Sequence, residues 1–230
     1  MSFQSSNTRT LKIAIDGPAG AGKSTVAREI ARRINLKYLD TGAMYRAITL
    51  KLYRARISLD DLEAIAELLK HTALDVTADQ RVLLDGEDVT AEIRKPLVNN
   101  LVSPVSTIPL VRRKLVQMQQ AIAARSRGIV MDGRDIGTRV LPDADLKVYL
   151  DATLAERARR RFKEQLERNI HLTFEEVEAE LKERDRIDSE RADSPLTVAA
   201  DACVIDTTDL TFEEVVAKIM SLISGRVKQR

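Results

Sequence analysis

Ile13-Ala14-Ile15-Asp16-Gly17-Pro18-Ala19-Gly20-Ala21-Gly22-Lys23-Ser24-Thr25 decides the fold. An apolar strand runs into a glycine-rich turn, and the residues beyond it carry apolar side chains at 26, 27, 30, 31 and 34, the spacing of a helix face. Gly17, Gly22, Lys23 and Ser24 meet the pattern G-x-x-x-x-G-K-[ST], and Gly20 adds a third residue free to take positive φ. Successive backbone N–H groups can then curl round an anion at a helix N-terminus. The stretch Gly17, Pro18, Ala19, Gly20, Ala21, Gly22, Lys23, Ser24 and Thr25 is therefore read as a nucleotide-phosphate cradle. In it Lys23 reaches the β and γ phosphates and the Ser24 hydroxyl faces a magnesium ion. A merely structural strand-to-helix turn would not need Lys and Ser in this register.

The remaining composition narrows the class. At 230 residues and 44% apolar, the chain can bury a full core and is expected to be one domain, 1–230. Net charge is only +2 although 31% of residues are charged, so the chain is not marked as a nucleic-acid binder and small-molecule partners are expected. Residues 1–10 lack an apolar signal core and no run of 18 apolar residues occurs, which predicts a cytoplasmic protein without a membrane partner. The single cysteine, Cys203, sits in a short apolar run and reads as a buried strand residue. His71 and His171 have no ligand spacing and read as surface residues.

Taken in order, Lys37–Asp40 reads as a second strand, and Thr41 as the N-cap of the helix that carries Arg46. Thr41 and Arg46 follow a strand end, where ligands gather in a doubly wound sheet, so both are candidates for a second phosphate. An amphipathic helix over 60–70 gives way to short alternating runs around Asp85-Gly86, a hairpin signal, so a small antiparallel β insert is expected. Ser103-Pro104-Val105-Ser106-Thr107-Ile108-Pro109 reads as the loop that ends this lobe, before a long helix from about Leu110 to Arg125 that Arg112 helps to open. The insert as a whole spans 60–109.

Ile129–Asp132 is an apolar strand ending in a carboxylate, placed like the strand-end Asp that helps hold magnesium in phosphate-loop enzymes. Arg134 and Asp135 follow, either as a local salt bridge or as site residues. Two further strands, Leu146–Leu150 and Ala202–Ile205, bring the total to about five with helices between them, which is a parallel α/β sheet. Between these strands, Thr153 with Glu156 and Thr173 with Glu176 spell capping boxes for two helices, and Thr211 with Glu214 opens a last one that Gly225 ends. Arg157 and Arg161 share a face four residues apart; Arg161 has only Glu164 at helical spacing and Arg157 has no anion there. Arg184, Asp188 and Arg191 form an Arg-Asp-Arg face on the second helix. The hairpin 153–191 is thus expected to act as a lid over phosphates.

Four motifs in order, Gly17–Thr25, Asp40–Arg46, Asp132–Asp135 and Arg184–Arg191, are similar to those of the bacterial cytidylate kinases, a family of nucleoside monophosphate kinases with a β insert in the substrate lobe. The resemblance covers Leu11 to about Ile223. It implies a P-loop nucleoside monophosphate kinase fold, with a five-stranded parallel sheet flanked by helices, the β insert and the helical lid. It also implies transfer of the ATP γ-phosphoryl group to CMP or dCMP with Mg2+; a monomer is expected. By the same resemblance Thr41, Arg46 and Arg134 are expected on the acceptor phosphate, Ser103, Arg112, Asp135 and Arg191 on the cytosine, and Arg184 and Asp188 on the sugar. Lys23, Arg134, Arg157 and Arg161 are the expected catalytic groups, and Ser24 and Asp132 the magnesium ligands. An adenylate- or shikimate-type kinase on the same core is the alternative. A regulatory GTPase is disfavoured because no Asn-Lys-x-Asp motif occurs.

Overall fold

The computed structural model describes residues 11–167 and 169–228; the polar start, residues 1–10, lies outside the described residues. Five parallel strands form the main sheet: β1 (Lys12–Asp16), β2 (Lys37–Asp40), β6 (Ile129–Gly133), β7 (Leu146–Asp151) and β8 (Cys203–Asp206), in the order β2-β6-β1-β7-β8. The expected parallel α/β sheet is therefore present, with the glycine-rich loop leaving its central strand. Side chains alternate across that strand. Ile13 and Ile15 pack with Val26, Ala27 and Ile30 of α1 (Lys23–Arg33) and with Val216 and Ile219 of α8 (Phe212–Lys228), whereas Ala14 joins Leu39, Met131 and Met44 on the opposite face. A sheet covered on both faces needs such unbroken apolar strands.

On the second face lie α2 (Thr41–Arg54), α3 (Leu62–Lys70) and the three-stranded antiparallel insert, β3 (Leu74–Val76), β4 (Val82–Leu84) and β5 (Glu87–Asp88). Asp85 and Gly86, with φ of 51° and 89°, make the tight turn between β4 and β5, as the Asp-Gly pair predicts. A 3-10 turn, Glu92–Arg94, leads into α4 (Pro96–Thr107) and then α5 (Pro109–Arg125). The stretch from Ser103 is thus not a loop until Ile108, contrary to its composition. Val98, Val102 and Val105 bury one face of α4 while Pro104 sits on the exposed side, and that packing outweighs the Ser-Pro-Thr propensity.

Three capping expectations also need correction. The N-cap of α2 is Asp40, whose carboxylate accepts from the Ala43 N–H at 2.8 Å; Thr41 is the first helical residue. Of the capping boxes, Thr173 with Glu176 and Thr211 with Glu214 are reciprocal, but the Thr153 N–H donates to Thr208 Oγ1 instead of Glu156. The helix α8 runs through Gly225, which keeps a helical backbone rather than the left-handed one that ends helices. Cys203 is half-buried, because β8 is an edge strand. The helices α6 (Leu154–Glu167) and α7 (Phe174–Glu190) form the hairpin after β7, with their own small core of Ala158, Val177, Leu181 and an edge-to-face pair, Phe162 and Phe174. No helix among the described residues is long and apolar enough to cross a membrane.

Candidate active site

Register assembles the site. Asp40 pairs with Asp132 across β2 and β6, and Asp16 with Gly133 across β1 and β6, so three carboxylates line up at the carboxyl ends of adjacent strands. Asp16 is structural: its two oxygens accept from the N–H groups of Ile136 and Gly137 at 2.8 and 2.7 Å, tying the turn after β6 (Ile136–Val140) to the start of the loop. Burial raises its pKa to about 6 against the opposing pull of those two hydrogen bonds.

Two glycines explain why the loop has its sequence. A Cβ on Gly17, at φ +146°, would lie 2.0 Å from the Leu150 carbonyl oxygen, and one on Gly20, at φ +79°, would meet Arg157 Cβ at 3.0 Å. The loop is pressed between β7 and α6. Gly22, at φ 83°, caps α1, which begins at Lys23. Lys23 Nζ donates to the Pro18 carbonyl at 2.6 Å, and its pKa falls well below normal because it is buried and faces Arg134. Ser24 Oγ donates to Asp132 Oδ2 at 2.6 Å, and Tyr38, a residue the sequence reading did not single out, donates to Oδ1 at 2.7 Å. Burial first, then the charge of Asp40, raises Asp132 to about 6.

Next to this acid lies a crowd of arginines. Arg46 projects from α2, and burial together with Arg184 lowers its pKa to about 9. Arg184, on α7, is lowered to about 10 by burial and by Arg134, and its Nε is buried with no hydrogen-bond partner. Thr41 is buried and donates its hydroxyl to the Asp132 carbonyl at 2.7 Å. Arg134 and Asp135 do not pair with each other. Arg134 Nε reaches Asp188 at 2.7 Å across to α7, and Asp135 takes Arg112 of α5 in a short buried ion pair. Burial alone would lower Arg134 and raise Asp188; their mutual attraction reverses both.

Around Asp135 the structure brings Arg112, Arg191 and Tyr45, while Ser103 is buried on α4, its carbonyl accepting from Ser106 Oγ at 2.8 Å. Arg112 lies over the Tyr45 ring at 5.9 Å, and Arg191 Nη2 stands 3.7 Å from Asp135. Arg112 Nε, Arg191 Nη2 and Tyr45 Oη are all buried without a hydrogen-bond partner. Three orphaned polar atoms about one carboxylate leave hydrogen-bonding capacity for a small polar group.

The hairpin arginines differ from expectation. Arg157 is engaged: it donates to the carbonyls of Ala152 at 2.9 Å and Ala19 at 3.0 Å and pairs with Asp185 at 2.6 Å. Its anion comes from α7, beyond any helical spacing. Arg161 pairs with Glu164, while Arg160 turns to Glu156 and to the Thr207 carbonyl. Beside the loop, a cleft of about 390 Å³ opens between Gly22, Thr25, Arg160, Thr207, Leu210 and Phe212.

A divalent cation fits at Ser24 and Asp132. Both are oxygen donors already within hydrogen-bond distance, and a cation would relieve the cost of ionising a buried carboxylate. No cluster of three or more His, Cys, Asp or Glu suited to a metal occurs among the described residues.

A central strand, glycine-rich loop, helix N-terminus and strand-end carboxylate define a phosphate-loop protein of the mononucleotide-binding α/β class. An uncharacterized protein from Eubacterium ventriosum shares the fold with a TM-score of 0.55 at 12% identity, covering 94% of this chain and 99% of that one. Shikimate kinase from Bacteroides thetaiotaomicron does so with a TM-score of 0.50 at 14% identity, covering 93% and 98%. Residues 13–225 match the family described as Cytidylate kinase, and the chain belongs to that family. It is 54% identical over 220 residues to the cytidylate kinase of Caldanaerobacter subterraneus, covering 95% of this chain and 97% of that protein. To that of Geobacillus kaustophilus it is 48% identical over 222 residues, covering 95% and 99%.

Proposed function

We propose that this chain transfers the γ-phosphoryl group of ATP to CMP or dCMP, giving ADP and CDP or dCDP, with Mg2+ as the metal. The observation that carries this reading is the crowd of Lys23, Arg46, Arg134 and Arg184, where burial first, and then neighbouring cations, lower Lys23, Arg46 and Arg184. Among the described residues Arg46 and Arg184 have no ion pair of their own, and two phosphates arriving from opposite sides would supply the missing anions.

Lys23 and the loop N–H groups hold the donor phosphates, and the cleft beside Gly22 and Phe212 takes the donor base. When bound between Ser24 and Asp132, Mg2+ neutralises phosphate charge. Arg46 and Arg134 hold the acceptor phosphate, with Thr41 beside them; Asp188 orients Arg134 through its 2.7 Å bond. Arg184 and Asp188 face the sugar. The set of Ser103, Arg112, Asp135 and Arg191 reads the cytosine, since a base that leaves those buried groups unpaired is rejected. The insert, 60–109, carries the acceptor, and the hairpin, 153–191, closes over the phosphates. Arg157 holds the phosphate loop against the root of that hairpin, and Arg161 is its arginine for the transferred group. Mixed charge and an acceptor site of polar and charged side chains support small-molecule substrates rather than nucleic acid, and a cytoplasmic monomer is the form we propose.

A coupled assay of ADP release with CMP, dCMP, AMP and shikimate tests the reading. Turnover with the two cytosine nucleotides alone is expected, and comparable turnover with AMP or shikimate overturns it. Lys23→Ala should abolish turnover while CMP binding, measured by calorimetry, stays within a few-fold of wild type.

A further inference from the structure

Arg46 enters its site with unusual help from a residue of the insert lobe. Its Nε donates to Asn99 Oδ1 of α4 at 3.0 Å, and Asn99 Nδ2 donates to the Arg94 carbonyl at 3.1 Å. The two bonds fix the amide's orientation, because a flipped Asn99 would set donor against donor and acceptor against acceptor. Arg94 in turn pairs with Asp40, the cap of the helix that carries Arg46, at 2.6 Å. On the other side of the guanidinium is Gly42, where a Cβ would lie 3.0 Å from Arg46 Nη1. Among the described residues the Nη groups of Arg46 make no hydrogen bond and no ion pair.

We infer that Asn99 is a positioning residue: it anchors Arg46 at Nε, across the gap left by Gly42, so that both Nη groups are presented together to the acceptor phosphate. The inference rests on the acceptor role given to Arg46 above. A guanidinium is a planar fork, so anchoring Nε sets the plane in which the two Nη donors lie and preorganises a bidentate contact. The neutral amide matters. A carboxylate at 99 would hold Nε equally well but would neutralise the charge and compete with phosphate, whereas an amide orients the cation and leaves its charge for the ligand. Because Asn99 stands on α4 and Arg46 on α2, the device also makes phosphate affinity depend on how the insert lobe is seated.

Calorimetric titration of CMP into the full chain tests this with Asn99→Ala, Gly42→Ala and Arg46→Ala, alone and combined. A Cβ at Gly42 would crowd Arg46 Nη1 at 3.0 Å and the Asp40 cap carboxylate at 3.2 Å, so Gly42→Ala disturbs the guanidinium while keeping the Asn99 side chain and keeps the test open if Asn99→Ala folds poorly. Asn99→Ala should weaken CMP binding by roughly ten-fold, the size of one hydrogen bond to a charged group, and Gly42→Ala should weaken it by displacing the same guanidinium. Neither should weaken it further once Arg46 is Ala, since contacts that act through one group are not additive. In kinetics the KM for CMP should rise while kcat and the KM for ATP stay within about two-fold. Wild-type CMP binding in Asn99→Ala and Gly42→Ala, with Arg46→Ala still impaired, overturns the positioning role alone. The same loss in both backgrounds also overturns it, because the effect would then be structural. No loss in Arg46→Ala sinks the acceptor role itself.

Discussion

Arg157→Met removes the charge that ties the phosphate loop to the α6–α7 hairpin while keeping most of the side-chain length. The substitution deletes an ion pair to Asp185 and two hydrogen bonds to the carbonyls of Ala152 and Ala19, at 2.6, 2.9 and 3.0 Å. The side chains are 8% and 23% exposed, so the pair is largely desolvated. Removing one partner of a buried pair costs about 3–5 kcal/mol, and the residual exposure of Asp185 lets water return to it, which favours about 3 kcal/mol here. With a urea dependence of about 2–3 kcal/mol per molar for a chain this size, the unfolding midpoint should drop by roughly 1–1.5 M. Arg157→Met combined with Asp185→Leu should recover only part of that, because no unpaired charge is left behind while the Ala152 and Ala19 carbonyls still lack their donor. The KM for ATP should also rise, since Ala19 and Gly20 rest on this side chain. An unchanged midpoint with a collapsed kcat would refute the reasoning and return Arg157 to the transferred phosphate.

Gly17→Ala should leave little folded protein able to bind ATP, because its Cβ would sit 2.0 Å from the Leu150 carbonyl oxygen; wild-type melting and ATP binding would contradict this. Burial raises the folded pKa of Asp16 to about 6 from 3.8, so the native state holds this proton more tightly than the unfolded chain. Its stabilising contribution is full below about pH 4 and is lost as pH rises through 6, costing about 3 kcal/mol at pH 8. Asp16→Asn removes that slope, so in urea melts it should fall further below wild type at pH 5 than at pH 8, and an equal gap at both would count against it. Asp135→Ala leaves the fully buried Arg112 with only Asp193, 3.7 Å away, as its anion and should lower the ratio of kcat/KM for CMP over AMP by at least about ten-fold. An unchanged ratio removes Asp135 from base choice.

What the sequence determined by itself was local. The glycine loop, the Asp85-Gly86 turn and the period of each helix and strand depend on neighbours within a few residues, so the five-stranded parallel sheet and the β insert are legible without coordinates. Composition misled where packing overrides propensity, as at Ser103–Thr107, where a buried valine face draws a Ser-Pro-Thr stretch into helix. Partners were decided only in three dimensions. Arg157 with Asp185, Arg134 with Asp188 and Arg46 with Asn99 are separated by 28, 54 and 53 positions, distances over which no helical or strand period carries information. The register that sets Asp40 beside Asp132 is likewise a property of the assembled sheet. Side-chain charges are written in the sequence, but which charge satisfies which depends on how the elements pack, and that pairing separates an arginine holding the loop from one open to a phosphate.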